Sequence, residues 1–171
     1  MDRKRMQGVY VVEFAIIGLL LFTLLFGVLE MGRLYFTVGT LNEVVRRGAR
    51  LAAVCDISEP VALRRAIFNA ATDSGASSLI GNLATADLSL TYLDENGVVV
   101  ASPDDGGAGF SSIRYVQLSI VNFPFTLLIP GFGGGITLPA FRATLPRESL
   151  GRHAEGLQPF DKPAEPGVTP C

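Results

Sequence analysis

Catalytic and metal chemistry has little to work with in this sequence. There is one histidine, His153, in a C-terminal stretch with no cysteine or carboxylate at ligand spacing, which argues against a metal site. No Gly-x-Ser-x-Gly, His-Glu-x-x-His or phosphate-loop pattern occurs. No separated pair of carboxylates stands out as an acid/base couple, and Asp104-Asp105, beside glycines, reads as a solvated turn. Neither an enzyme nor a cofactor is expected. A basic excess is missing as well: 14 Lys and Arg stand against 16 Asp and Glu, for a net charge of −2. Nucleic-acid binding normally leaves a basic footprint, so nucleic acid is excluded as the main partner. Cysteine is scarce, with Cys55 and Cys171 the only two.

What the sequence has instead is one long apolar run, Val9 to Leu29, broken only by Thr23 and Glu13. A helix rising 1.5 Å per residue covers about 30 Å over that length, the thickness of a bilayer's hydrocarbon core. A cleavable secretory signal would have a shorter apolar region followed by a small-x-small site. The residues after Leu25, Phe-Gly-Val-Leu-Glu-Met-Gly-Arg, offer none, so the helix is expected to be retained. Arg3, Lys4 and Arg5 stand directly before the run, and such a cluster stays cytoplasmic. The expectation is a single-pass protein with its N-terminus in the cytoplasm and its C-terminal domain outside.

Glu13 is the anomaly within the run. A carboxylate in the bilayer costs roughly 2.5–3.5 kcal/mol on insertion scales, which makes an intramembrane acid a functional candidate. Snorkelling to the headgroups is the simpler account of it. The residue order around it decides otherwise: a basic leader ends at Gly8, and Glu13 stands fifth in the apolar segment that follows.

That order resembles the processing site of the type IV pilin family, and Gly8-Val-Tyr-Val-Val-Glu-Phe-Ala is most similar to the TadE/TadF-like pseudopilins of tight-adherence (Flp-type) systems. The resemblance continues through Glu30-Met-Gly-Arg-Leu-Tyr35 and Asn42-Glu-Val-Val-Arg-Arg-Gly-Ala-Arg-Leu-Ala-Ala-Val54. It implies cleavage after Gly8 by a prepilin peptidase, with Val9 as the new terminus and Glu13 setting assembly register. It further implies other pilin-like subunits and the pilus assembly machinery as partners, a bacterial inner-membrane location, and possible passage into an extracellular filament. Physical chemistry supplies a rationale. The new α-amino group on Val9 would have an ordinary pKa of about 7.7–8.0 and be largely charged. It lies one helical turn from Glu13, or meets the Glu13 of a neighbouring helix, and a pair of opposite charges in lipid partly cancels. The competing reading is an uncleaved, signal-anchored envelope protein whose outer domain binds a partner or ligand.

The rest of the chain predicts an α+β protein. Leu34, Val38, Leu41, Val45, Ala49 and Ala52 recur at spacings of three or four, so the helix is expected to continue as an amphipathic stalk over 30–55. Residues 56–149 are expected to form a small antiparallel-sheet domain with a short helix. Within it Ser58 is expected to cap a helix over Val61–Ala71, and Leu88, Leu90 and Tyr92 open a hairpin that turns at Asp94-Glu-Asn-Gly97. A second strand is read over Ser112–Asn122, and Ile136–Leu145 ends the sheet. Phe123-Pro-Phe-Thr-Leu-Leu-Ile-Pro130 is too short and proline-broken to span a bilayer; it is read as buried packing rather than as an apolar loop touching membrane or neighbour. Residues 150–171, rich in proline, glycine and charge, are read as a disordered tail. Cys55 and Cys171 would both meet an oxidising compartment, where either one bridge within the chain or an unpaired or intermolecular thiol can persist.

Overall fold

The computed structural model describes residues 3–57, 60–103, 108–128 and 134–151, with side chains from Gly8 onward. The side chains of Arg3, Lys4 and Arg5 therefore lie outside the described residues, as do Ser58, Asp104-Asp105, His153 and Cys171. The elements in order are α1 (Arg3–Val54), α2 (Val61–Ala66), β1 (Leu88–Leu93), α3 (Ala108–Ser112), β2 (Tyr115–Ile120), β3 (Pro124–Thr126), β4 (Gly135–Thr137) and β5 (Phe141–Pro146). The chain divides into two units, Met1–Val38 with Phe125–Ile136, and Gly39–Pro124 with Thr137–Cys171, and α1 contributes to both.

In the first unit α1 carries one stretch long and apolar enough to cross a membrane, with a mean hydropathy of 2.5 and none of that stretch buried. No proline interrupts it, and the Thr23 hydroxyl is satisfied internally: Thr23 Oγ1 donates to the Leu19 carbonyl at 2.7 Å. A hydroxyl bonded back to its own helix leaves no bare donor for lipid to meet. The chain thus has one long apolar N-terminal helix suited to anchoring it in a membrane. The same unit holds the ribbon of β3 and β4, closed by Leu127 N–H on the Gly134 carbonyl at 3.0 Å.

The second unit is an α+β domain. Its sheet is antiparallel in the order β1-β2-β5. The register aligns Leu88, Leu90 and Tyr92 with Ile120, Leu118 and Val116, and these with Phe141, Ala143 and Leu145. Side chains alternate along a strand, so all nine share one face. Leu41, Val44, Val45, Ala49, Ala52 and Ala53 of α1 are at most 2% exposed and form the helical half of the core. Asn42, Glu43, Arg46, Arg47 and Arg50 occupy the exposed side. The opposite sheet face is polar: Gln117 Nε2 donates to Thr144 Oγ1 at 2.9 Å.

Gly48 is where helix and sheet come closest. A Cβ built there would overlap Leu118 Cδ2 and stand 2.8 Å from the Cβ of Ala66 on α2. Glycine is a poor helix former, by about 1 kcal/mol relative to alanine, and here its missing side chain is what lets three elements meet.

Several boundaries differ from those the sequence leads one to expect. α2 ends at Ala66 instead of Ala71, because Phe68 adopts φ 66° and turns the chain. Phe68 N–H bonds the Arg65 carbonyl and Asn69 N–H the Arg64 carbonyl, which is the Schellman pattern with phenylalanine where glycine is usual. The Arg47 guanidinium lies over the Phe68 ring, 5.2 Å from its centroid. The hairpin after β1 does turn at Asp94–Gly97, with Gly97 at φ 77° and Asp94 Oδ1 accepting from Asn96 and Val98 N–H. Its return arm is only a bridge, Leu93↔Val99, and β2 takes the long edge of β1. Ser112 closes α3 rather than opening β2, and Ile136 belongs to the β3–β4 ribbon rather than to the three-stranded sheet.

Leu150 and Gly151, expected to open the tail, are packed against the end of α1. The last carbonyls of a helix lack partners within it. Here Glu148 and Leu150 N–H bond the Ala53 carbonyl, and Gly151 N–H bonds that of Val54 at 2.6 Å. Leu150 is 1% exposed among Ala52, Ala53, Phe110 and Ile113. Gly151, at φ 79°, lies so close to Asp56 that a Cβ would meet its Cα at 2.8 Å. Residues beyond Gly151 lie outside the described residues.

Cys55, just past α1, is 1% exposed and disulfide-bonded. Denatured without reductant, the chain is therefore expected to leave no thiol for alkylation at Cys55, and mass spectrometry of the alkylated chain checks this. Stoichiometric labelling of Cys55 would rule the bridge out.

Candidate functional site

A helix places residues i, i+4 and i+8 on one side. Gly8, Val9, Val12, Glu13, Ile16 and Ile17 accordingly line one shallow groove along α1. Gly8, Val9 and Glu13, singled out from the sequence, thus share a face, with Glu13 one turn from Val9. Glu13 is exposed, and among the described residues none hydrogen-bonds or ion-pairs with it. Its neighbours are bare hydrocarbon: Val9 is 65% exposed, Val12 59% and Ile16 54%. A lone carboxylate on such a surface asks for a cation brought from elsewhere.

Among the described residues, nothing packs against Gly8. A Cβ there would meet nothing within 4 Å, and its backbone lies inside α1, where glycine weakens the helix. The bond to Val9 is consequently a helical peptide bond, at the position where glycine makes the helix easiest to unwind.

A second acid was not singled out as a site residue by sequence reasoning. Glu30, directly after the apolar run, is only 8% exposed. Arg33 Nη1 donates to both of its carboxylate oxygens, at 2.6 and 2.8 Å, and Leu128 N–H donates to Oε1 at 3.4 Å. The same guanidinium lies 5.1 Å from the Phe125 ring centroid, a cation–π distance. The i, i+3 spacing of Glu30 and Arg33 was the available signal. The contribution of Leu128 and Phe125, about a hundred residues away, left none.

No curated protein and no solved structure matches this chain. The model of the TadE-like protein family matches residues 8–50, and over that span, which lies within α1, the chain is similar to TadE-like proteins.

Proposed function

We propose that this chain is a subunit or assembly protein of a tight-adherence pilus or related pseudopilus, matured by prepilin peptidase cleavage after Gly8. The observation that carries the reading is Glu13: fifth after Gly8 within the span that the TadE-like model matches, exposed, and without a described partner in the apolar run of α1. Cleavage would create on Val9 the cation that this carboxylate lacks. A neighbouring subunit's Val9 ammonium, meeting Glu13 in the membrane, would hold two helices in one register. Arg3, Lys4 and Arg5 would keep the leader on the cytoplasmic side of the inner membrane, with the sheet domain outside. The role is structural rather than catalytic, and its partners are other pilin-like subunits, the assembly machinery and the peptidase.

Gly8→Val tests this. Co-expressed with a prepilin peptidase, the wild-type chain is expected to be shortened, and the Gly8→Val chain to keep its leader. A β-branched residue crowds the scissile bond and resists its extension from the helix. Equal processing of both chains would remove the peptidase from the account and favour an uncleaved, signal-anchored protein.

A further inference from the structure

The ribbon of β3 and β4 belongs with the N-terminal helix: Phe125–Ile136 and Met1–Val38 form one unit. We propose that this ribbon is a second membrane contact, seating Leu128 and Ile136 at the boundary between lipid headgroups and acyl chains beside the point where α1 leaves the bilayer.

Three observations converge on it. The first is position. Glu30 follows the last residue of the apolar run, so it marks where hydrocarbon ends, and Leu128 N–H is bonded to its carboxylate. The backbone of the ribbon is thereby fixed at that level. Tyr10, at the start of the run, and Tyr35, six residues past its end, are 65% and 72% exposed, as interfacial aromatics are. They stand 25 residues apart, about 37 Å along a helix, against a bilayer of roughly 40–45 Å with its headgroups.

The second is chemistry. Between Arg114 and Arg142 the sequence has no Asp, Glu, Lys, Arg or His. Phe125 is buried, yet Leu128 is 66% exposed and Ile136 42%. Water disfavours such exposed apolar surface, whereas the acyl boundary accepts it. On the helix, Leu29 and Met31, either side of Glu30, are likewise exposed, by 56% and 54%.

The third is the charge at this depth. An unpaired carboxylate at the rim of the hydrocarbon would be costly, and Glu30 is neutralised by Arg33. Arg33, 41% exposed at its side chain, keeps a route to the phosphate layer while its guanidinium covers Phe125. The pair lets the ribbon lie against the helix at a depth where neither charge could stand alone.

The inference needs the membrane helix but not the cleavage at Gly8. The chain contains no tryptophan, so a single one introduced at Leu128 reports its own surroundings. Full-length Leu128→Trp, Leu20→Trp and Val98→Trp are reconstituted in phosphatidylcholine vesicles with or without brominated acyl chains. Leu20 lies in the apolar run; Val98, 61% exposed at a turn of the sheet domain, gives the same residue type a free choice of water. Bromolipid is expected to quench Leu128→Trp nearly as strongly as Leu20→Trp and several-fold more than Val98→Trp, with blue-shifted emission from the first two. Leu20→Trp quenched while Leu128→Trp matches Val98→Trp would overturn the ribbon contact alone. Leu128→Trp shielded from aqueous acrylamide yet untouched by bromolipid would overturn it in favour of a protein neighbour, such as a second copy. Absence of quenching in Leu20→Trp would overturn the membrane anchor itself.

Discussion

Gly48→Val is expected to destabilise the sheet domain by about 3 kcal/mol or more, at the upper end of what overpacking a core costs. The first added carbon already overlaps Leu118 Cδ2 and stands 2.8 Å from Ala66 Cβ. Leu118 is fully buried and has nowhere to rotate, and Ala66 has no side-chain torsion to relieve the contact, so α2 or the sheet must move. Gly48→Ala sharpens the point. Its gain in helix propensity, about 1 kcal/mol, opposes an overpacking cost of about 1–3 kcal/mol, and the net should be a loss. Gly32→Ala and Gly39→Ala have nothing within 4 Å of the new carbon and should be neutral or stabilising by up to about 1 kcal/mol. Thermal melts of the full-length chain in detergent separate the two classes, since each kcal/mol shifts the midpoint of a domain this size by about 4–8 °C. A Gly48→Ala midpoint at or above that of Gly39→Ala would show that helix and sheet are not in contact at Gly48.

Glu13→Val is expected to leave leader removal and membrane insertion intact and to abolish incorporation into an assembly. The bond at Gly8 lies five positions earlier, and valine makes the segment only more apolar, so insertion does not suffer. The loss falls on packing between subunits. A neighbour's Val9 ammonium would enter apolar surroundings with no carboxylate to meet it, and removing one partner of a buried pair costs about 3–5 kcal/mol. At 1.4 kcal/mol per tenfold that is roughly a hundred- to several-thousand-fold in an equilibrium, enough to exclude the subunit. Glu13→Gln should fall between, keeping hydrogen bonds while losing the charge. Co-purification of Glu13→Val with partner subunits at the wild-type level would mean that the acid only reaches for the headgroups.

Where sequence and structure agree, a periodic pattern carried the information. Leu41, Val45, Ala49 and Ala52 recur at helical spacing and are all buried, and Leu88/Leu90/Tyr92 and Phe141/Ala143/Leu145 alternate and share the sheet face. What was illegible depends on contacts between distant segments. Gly48 enters the sequence reading only as one residue of the Asn42–Val54 block, and only Leu118 and Ala66 give it a purpose. Phe68 ends α2 against the usual preference for glycine, because its ring is held under Arg47. Leu150 looks like the start of a polar tail, yet it closes the core and helps cap α1. The sequence from Phe123 to Pro130 reads as buried packing, which holds for Phe123 and Phe125 but not for Leu128. At the candidate site, one-turn spacing was enough to place Gly8, Val9 and Glu13 on one face, whereas the Glu30 clasp needed the fold.

The most direct test of the central claim is the N-terminal residue of the chain isolated from membranes of a cell that carries a prepilin peptidase. Mass spectrometry of the intact chain and of its N-terminal peptide is expected to find Val9 as the first residue, with Arg3, Lys4 and Arg5 gone. A chain that keeps the segment through Gly8, in the presence of an active peptidase, would contradict the account.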